Sequence, residues 1–337
     1  MSPGGESAGP FRLLVIGCGN IAGGFDAGRD PALPPLTHAG AFSRDRRCVI
    51  ASCVDPDAGR RAAFMRRWGL RHGHAEVAQA LADGPFDIIS ICSPTALHPE
   101  HLRAALAAGP RLVFCEKPLA PTLAQARAMV RACRRAGVTL AVNHSRRWAP
   151  DVRRLAEELR AGAWGAVRSV CGTYNKGVLN NGSHLVDLLH LLLGPMRLAH
   201  AGPAIHDHWP DDPSVPAMLV SEQGVPAQLV VADARDYAVF ELQIITERGL
   251  IAIEDGGLQW RVRRVIDSPH FSGYRVLDEG ERRPGEYLQS AASAADDLLA
   301  CLAEGREPAS TGESALMAQA LCDQMRRRAA PVRLSMH

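Results

Sequence analysis

Short apolar runs, each closed by glycine, proline or a small polar residue, punctuate the first 142 positions. Phe11 to Ile16 reads FRLLVI and stops at Gly17, Cys48 to Val54 stops at Asp55-Pro56, and Phe86 to Cys92 stops at Ser93-Pro94-Thr95. Arg111 to Cys115 runs into Glu116-Lys117-Pro118, and Val138 to Val142 into Asn143-His144. Continuous rather than alternating apolarity predicts strands buried on both faces, as in a parallel sheet covered by helices. Helical patterns fall between them, at 57–68, 75–82, 98–108 and 122–135. Pro121 precedes the last, where a missing N–H does little harm. Strands alternating with helices predict a doubly wound sheet, and its strand C-terminal ends are where a ligand would bind.

Beyond about residue 150 the pattern changes. A helix is expected over Asp151 to Arg160 and a strand over Trp164 to Thr173. Asn181 to Leu193 is an apolar helix stopped by Gly194-Pro195. Strand-like runs follow at 217–220, 227–231, 238–246, 249–254 and 258–265, with turns such as Asp255-Gly256-Gly257 between them. They predict an α+β second domain built on a large, mostly antiparallel open sheet. Helices over Tyr287 to Ala303 and Ser314 to Arg328 close the chain. The expected domains are 11–142, an α/β Rossmann dinucleotide-binding domain, and 143–337, a substrate-binding and oligomerisation domain.

Composition narrows the classes of partner. The chain has 337 residues and a formal net charge of +2, from 38 basic and 36 acidic side chains. That balance gives no pull toward nucleic acid or an anionic membrane. The opening MSPGGESAGP reads as a frayed tail rather than a secretory signal, and no apolar stretch is long enough to span a bilayer. The nine cysteines form no CxxC pair. Buried thiols in a reducing, cytoplasmic setting are expected, with no metal site.

The chemistry clusters at strand ends. Gly17-Cys18-Gly19-Asn20-Ile21-Ala22 follows the first strand at once. Gly17 permits a tight turn, Gly19 a close approach of pyrophosphate, and Ala22 close helix–strand packing. Asp55 ends the second strand, where a carboxylate can accept from both ribose hydroxyls and repel a 2′-phosphate, favouring NAD. Arg60 or Arg61 nearby leaves NADP open. The spacing from Gly17 to Asp55 is long because Gly23 to Pro35, GGFDAGRDPALPP, reads as an inserted loop, with the helix continuing through Thr37 to Ser43. Lys117 can point its ammonium into the crevice, holding a substrate hydroxyl or donating a proton as hydride arrives. His184 and Asp187, spaced i,i+3 on the apolar helix, share a protected face. Imidazole titrates near neutrality, and Asp187 would orient it or cap neighbouring backbone.

Together these motifs resemble the Gfo/Idh/MocA oxidoreductases, the relatives of glucose-fructose oxidoreductase and inositol dehydrogenase. Residues 11 to 328 share the resemblance: the Gly17 turn, Ser93-Pro94-Thr95 with His98, Ala108-Gly109, Glu116-Lys117-Pro118, Asn143 to Arg147, Gly182 to Asp187 and Gly312 to Ala315. It implies cofactor contacts at Ser93, Pro94, Thr95, His98, Glu116, Lys117 and Asn143. It also implies a substrate-polarising role for Lys117, a cis bond to Pro118, and a catalytic role for His184. Many polyol dehydrogenases of that family carry an aspartate where Asn180 stands, so Lys117 and His184 are left as the proton-handling pair. Lys176, Arg146, Arg147 and Tyr174 become candidate substrate contacts, with Asn180 and Asp187.

The implied activity is hydride transfer, with NAD or NADP, at a secondary alcohol or ketone carbon of a sugar, nucleotide sugar or inositol-like polyol, in a homodimer or homotetramer. Two rivals keep the fold. One is a redox-neutral epimerisation or glycoside cleavage with tightly held NAD; the other is a non-catalytic NAD-sensing regulator.

Overall fold

The computed structural model describes residues 9–329, so most of the expected N-terminal tail lies outside the described residues. The chain forms two compact units. One holds the residues up to Asn143 together with Ala291–Glu313; the other holds His144–Ser290 and the segment from Ser314 onward. A second domain running unbroken from 143 to 337 is therefore corrected. Residues 291–313 return to the first unit because its last strand leaves an edge open. The Val142 N–H donates to the Ser310 carbonyl at 3.2 Å, Ser310 Oγ donates to the Val142 carbonyl at 2.7 Å, and Ala141 bridges Thr311.

The first unit contains β1 (Phe11–Ile16), α1 (His38–Phe42), β2 (Cys48–Val54), α2 (Ala58–Trp68), β3 (Gly73–His74), α3 (Val77–Leu81), β4 (Ile88–Ile91), α4 (His98–Ala107), β5 (Leu112–Cys115), α5 (Leu123–Ala136) and β6 (Thr139–Val142). The sheet order is β3-β2-β1-β4-β5-β6, with every pairing parallel. Strands β4 and β5 are buried at all positions, as continuous apolarity requires. Asp57 and Thr122 cap α2 and α5, each side chain accepting a backbone N–H from three residues on.

The Gly23 to Pro35 insertion splits the first helix without ending it. His38 N–H donates to the Ile21 carbonyl and Ala39 N–H to the Ala22 carbonyl, so α1 continues the turn that begins at the glycines. Buried Asp26 fixes the returning chain by accepting from Leu36 N–H, Thr37 N–H and Thr37 Oγ1.

The second unit contains α6 (Pro150–Arg160), β7 (Val167–Tyr174), α7 (Ser183–Leu193), β8 (Met196–Ala201), β9 (Ile205–Trp209), β10 (Asp212–Ser214), β11 (Ala217–Ser221), β12 (Pro226–Val231), β13 (Phe240–Thr246), β14 (Gly249–Glu254), β15 (Gln259–Asp267), β16 (Arg275–Leu277) and β17 (Glu281–Pro284). Helix α8 (Ser290–Glu304) lies almost wholly in the returning segment, and α9 (Gly312–Arg328) ends the described chain. The large sheet runs β16-β15-β14-β13-β7-β12-β11-β8, with β17 on β15. It is antiparallel except where β12 pairs with β7.

One sheet face packs on α7, whose Leu185, Val186, Leu188 and Leu189 are at most 1% exposed. Gly172 on β7 is required by that contact, since a Cβ there would sit 2.8 Å from Leu185 Cδ2. The opposite face leaves Met218, Val230 and Ile245 exposed. All nine cysteines are free thiols. Among the described residues, no helix is long and apolar enough to cross a membrane.

Candidate active site

In the first unit the strand C-terminal ends open onto a cleft of about 770 Å³, lined by Gly17, Gly19, Asp55, Arg60, Ser93, Pro94 and His101 among others. Gly17 has φ +93°, and a Cβ there would meet the Ser93 nitrogen at 2.8 Å and Cys92 carbonyl atoms at 2.9 Å. No other residue fits between the ends of β1 and β4. A Cβ on Gly19 would meet nothing within 4 Å. Its backbone faces open space, which is the cradle a pyrophosphate needs. Asp55 Oδ2 accepts the Cys18 N–H and Oδ1 the Asp57 N–H, both at 2.9 Å. The carboxylate thus joins the glycine turn to the start of α2, and Arg60 Nε stands 3.5 Å from it. Arg61 instead donates to the Asp55 carbonyl at 2.6 Å. Ser93 Oγ lies 2.8 Å from His101 Nδ1, a residue with no motif to flag it. Thr95 begins the turn into α4; Asn20 is exposed, Ile21 half-buried and Ala22 buried.

Lys117 follows β5 and is half-buried, and its bond to Pro118 is cis, as the resemblance implies. His98, expected to touch the cofactor, is fully buried. One ring nitrogen faces the Pro118 and Leu119 carbonyls at 3.1 and 3.2 Å, the other the Ser93 carbonyl at 2.9 Å. It ties the loop after β4 to the loop after β5, and burial holds its imidazole below the usual range. That expectation is corrected. Glu116 and Asn143 also turn inward: Asn143 Nδ2 donates to Glu116 Oε1 at 2.6 Å, and His38 Nε2 reaches the same oxygen at 3.0 Å. Burial alone would raise the Glu116 carboxyl, but His38, Asn143 and Lys117 outweigh it and lower it.

In the second unit His184 and Asp187 lie in the first two turns of α7, both buried. Asp187 is neither a cap nor an open contact. Arg147 Nε donates to both its oxygens at 2.9 and 2.8 Å, and His144 Nδ1 stands 3.7 Å from it. Arg147 and Asp187, expected as separate substrate contacts, satisfy each other instead. The His144 ring meets the His184 ring edge to face at 5.5 Å. Tyr174 is corrected outright. It is fully buried, its hydroxyl donating to the Val215 carbonyl at 2.7 Å and accepting the Val215 N–H at 3.0 Å. Arg146 likewise serves the fold: Nη2 donates to the Gly256 carbonyl, and the guanidinium lies over Phe240 and Tyr287.

Between β7 and α7 the chain makes a π-type turn, Gly177–Gly182. Lys176 enters it with φ +61°. Asp207 accepts the Lys176 N–H at 2.8 Å, and Asp212 accepts from Leu179 and Asn180 at 2.9 Å each. Asn180 Nδ2 donates to the Lys176 carbonyl at 3.0 Å. These two acids, in the β9–β10 hairpin, hold the segment that carries Lys176 and Asn180. Nothing local marks them, since they lie about thirty residues away in a region without a clear period.

Residues 11–144 match the oxidoreductase family GFO_IDH_MocA, NAD-binding Rossmann fold. The first unit is thus similar to the NAD-binding domain of the Gfo/Idh/MocA oxidoreductases. The D-apiose dehydrogenase of Paraburkholderia graminis is 28% identical, across 93% of this chain and 86% of that protein. Among solved structures, an Agrobacterium radiobacter oxidoreductase in complex with NAD+, L-tartaric acid and magnesium superimposes with a TM-score of 0.75 at 20% identity, covering 95% of this chain and 96% of that one. KijD10, a 3-ketoreductase from Actinomadura kijaniata in complex with NADP and TDP-benzene, gives 0.76 at 22% identity, covering 96% and 99%. These likenesses show that both units share their folds with those solved structures.

Proposed function

We propose that this chain is a Gfo/Idh/MocA oxidoreductase, an NAD-dependent dehydrogenase acting on a secondary alcohol of a sugar or related polyol. The observation that carries the reading is the cleft at the carboxyl ends of β1, β2 and β4, where the Gly17 turn, the open backbone of Gly19 and the Asp55 carboxylate stand together. A carboxylate there accepts from ribose hydroxyls and repels a 2′-phosphate, and Arg60 is already drawn to it. The nicotinamide, when bound, supplies the hydride acceptor. Lys117 binds the substrate oxygen and, as a neutral amine, takes its proton as the C–H bond weakens. His184 passes that proton on or returns it, and the apolar shell of α7 keeps bulk water away from the ring. Lys176 and Asn180 bind neighbouring hydroxyls, with their backbones fixed by Asp207 and Asp212. The sugar assignment draws support from the D-apiose dehydrogenase relative. The exposed apolar face around Met218, Val230 and Ile245 supports a homodimer or homotetramer that covers it.

The test is a panel of aldoses, inositols and nucleotide sugars followed at 340 nm with NAD and NADP in parallel. Lys117→Met is expected to lower kcat about a thousandfold while NADH still binds by fluorescence titration. Wild-type turnover in that variant would remove the lysine from the mechanism.

A further inference from the structure

The first unit buries a histidine for which neither the glycine turn nor the lysine motif accounts. His38 is 3% exposed and stacks on Phe114 with ring centroids 4.3 Å apart. Its Nδ1 lies 2.6 Å from Ser90 Oγ and its Nε2 3.0 Å from Glu116 Oε1. The other carboxylate oxygen accepts the Lys117 N–H at 3.2 Å. Both ring nitrogens face oxygens able to accept, as a charged imidazole requires, and Asn143 Nδ2, 3.3 Å from Nε2, is turned to the same Glu116 oxygen. A buried carboxylate needs a counter-charge, and here two cations are within its influence, His38 and Lys117.

We propose that His38 is a positioning residue: a buried imidazolium that neutralises Glu116, so that Glu116 fixes the Lys117 backbone without locking its side chain as an ammonium. This rests on the reading of Lys117 as the proton-handling residue. Burial works against the His38 charge, but the Cys92 sulfur, to the extent that it ionises, and the Glu116 carboxylate outweigh it and raise the ring. The groups around the pair are Ser90 and Cys92 from β4 and the turn after it, Asn143 after β6, and Lys117. The Glu116 charge is felt by His98 as well. Without the imidazolium, the full negative charge of Glu116 would hold the proton on Lys117, and a general base would be lost near neutral pH.

The composition makes the test direct. The chain has only two lysines, Lys117 and Lys176, among 38 basic side chains. Full-length protein labelled with 13C at lysine Cε gives one signal for each, and Lys176→Arg assigns them. His38→Gln keeps a donor where Nε2 stands but carries no charge; it is expected to move the Lys117 titration up by about one pH unit. Glu116→Gln is expected to move it down by a similar amount, and the double variant to return it toward wild type. No shift in His38→Gln, or a shift in the same direction as Glu116→Gln, overturns the proposal, because a purely structural role would not give opposite signs. Nitrogen NMR of the ring assigned to His38 should find both nitrogens protonated at pH 8; a neutral ring there overturns it too. If His38→Gln does not fold, Glu116→Gln decides alone: the His38 ring must then lose its proton at lower pH than in wild type, and a ring that does not sinks the idea. Wild-type turnover by Lys117→Met would refute the catalytic reading while leaving these titrations as measured, so the two failures are distinguishable.

Discussion

The two units hold their chemistry in opposite ways. In the first, the groups that matter sit at or just beyond the ends of parallel strands, and the backbone does much of the work: Gly17 because β1 and β4 leave no room for a Cβ, Gly19 because its face is open, and Asp55 by joining two turns. In the second, the segment of interest is a π-type turn running into a buried helix, and its shape is imposed from outside. Asp207 and Asp212 of a separate hairpin accept its N–H groups, while Arg147 neutralises Asp187 next to His184. A strand-end site is built from the few residues that follow each strand, so its parts can be read strand by strand. A clamped turn depends on residues distant in sequence, and damage to the clamp should appear as damage to the site.

His184→Ala separates the two units most sharply. It should lower kcat about a hundredfold with little effect on NADH affinity, because nothing in the first unit's cleft is disturbed; weakened NADH binding would contradict that separation. Asp212→Ala leaves two N–H groups of the turn without their acceptor. The expectation is a rise in KM for the alcohol of about tenfold, from loss of roughly 1–3 kcal/mol of support, with the Kd for NAD unchanged. An unchanged KM would show that the hairpin does not govern the turn. Asp55→Ala is the mirror experiment. NAD affinity should fall several-fold and the preference over NADP relax, measured as the ratio of kcat/KM for the two cofactors, while the KM for substrate stays put. Tyr174→Phe should move the rate least. Its hydroxyl bonds both backbone groups of Val215, so a loss of about 1–2 kcal/mol in denaturant stability is expected with kcat near wild type. A large fall in kcat at unchanged stability would return Tyr174 to the substrate site.

The His38–Glu116 pair adds a pH signature to the first unit. A histidine raised in the folded state contributes stability that is complete below its unfolded value, about 6.5, and is lost as pH rises toward about 10. The melting temperature should therefore decline across that window, and His38→Gln should flatten the decline. An equal slope in both proteins would mean that the ring is neutral when folded.

Periodicity and punctuation alone determined the parallel strands, the glycine turn, the position of Lys117 at the end of β5, and the change to an antiparallel sheet. Each is a local property: a run apolar at every position is buried on both faces, and a glycine after it permits the turn. The continuation of the first helix past the insertion was legible for the same reason. Tertiary structure decided the rest. It turned His98, Glu116 and Asn143 inward, made Tyr174 a core residue, paired Arg147 with Asp187, and brought 291–313 back to an open strand edge. In each of these cases at least one partner lies elsewhere in the chain, at a separation no local pattern encodes. A side chain's chemistry can be read from its type, but whether it faces a ligand or a neighbour depends on which distant donor or acceptor the fold delivers to it.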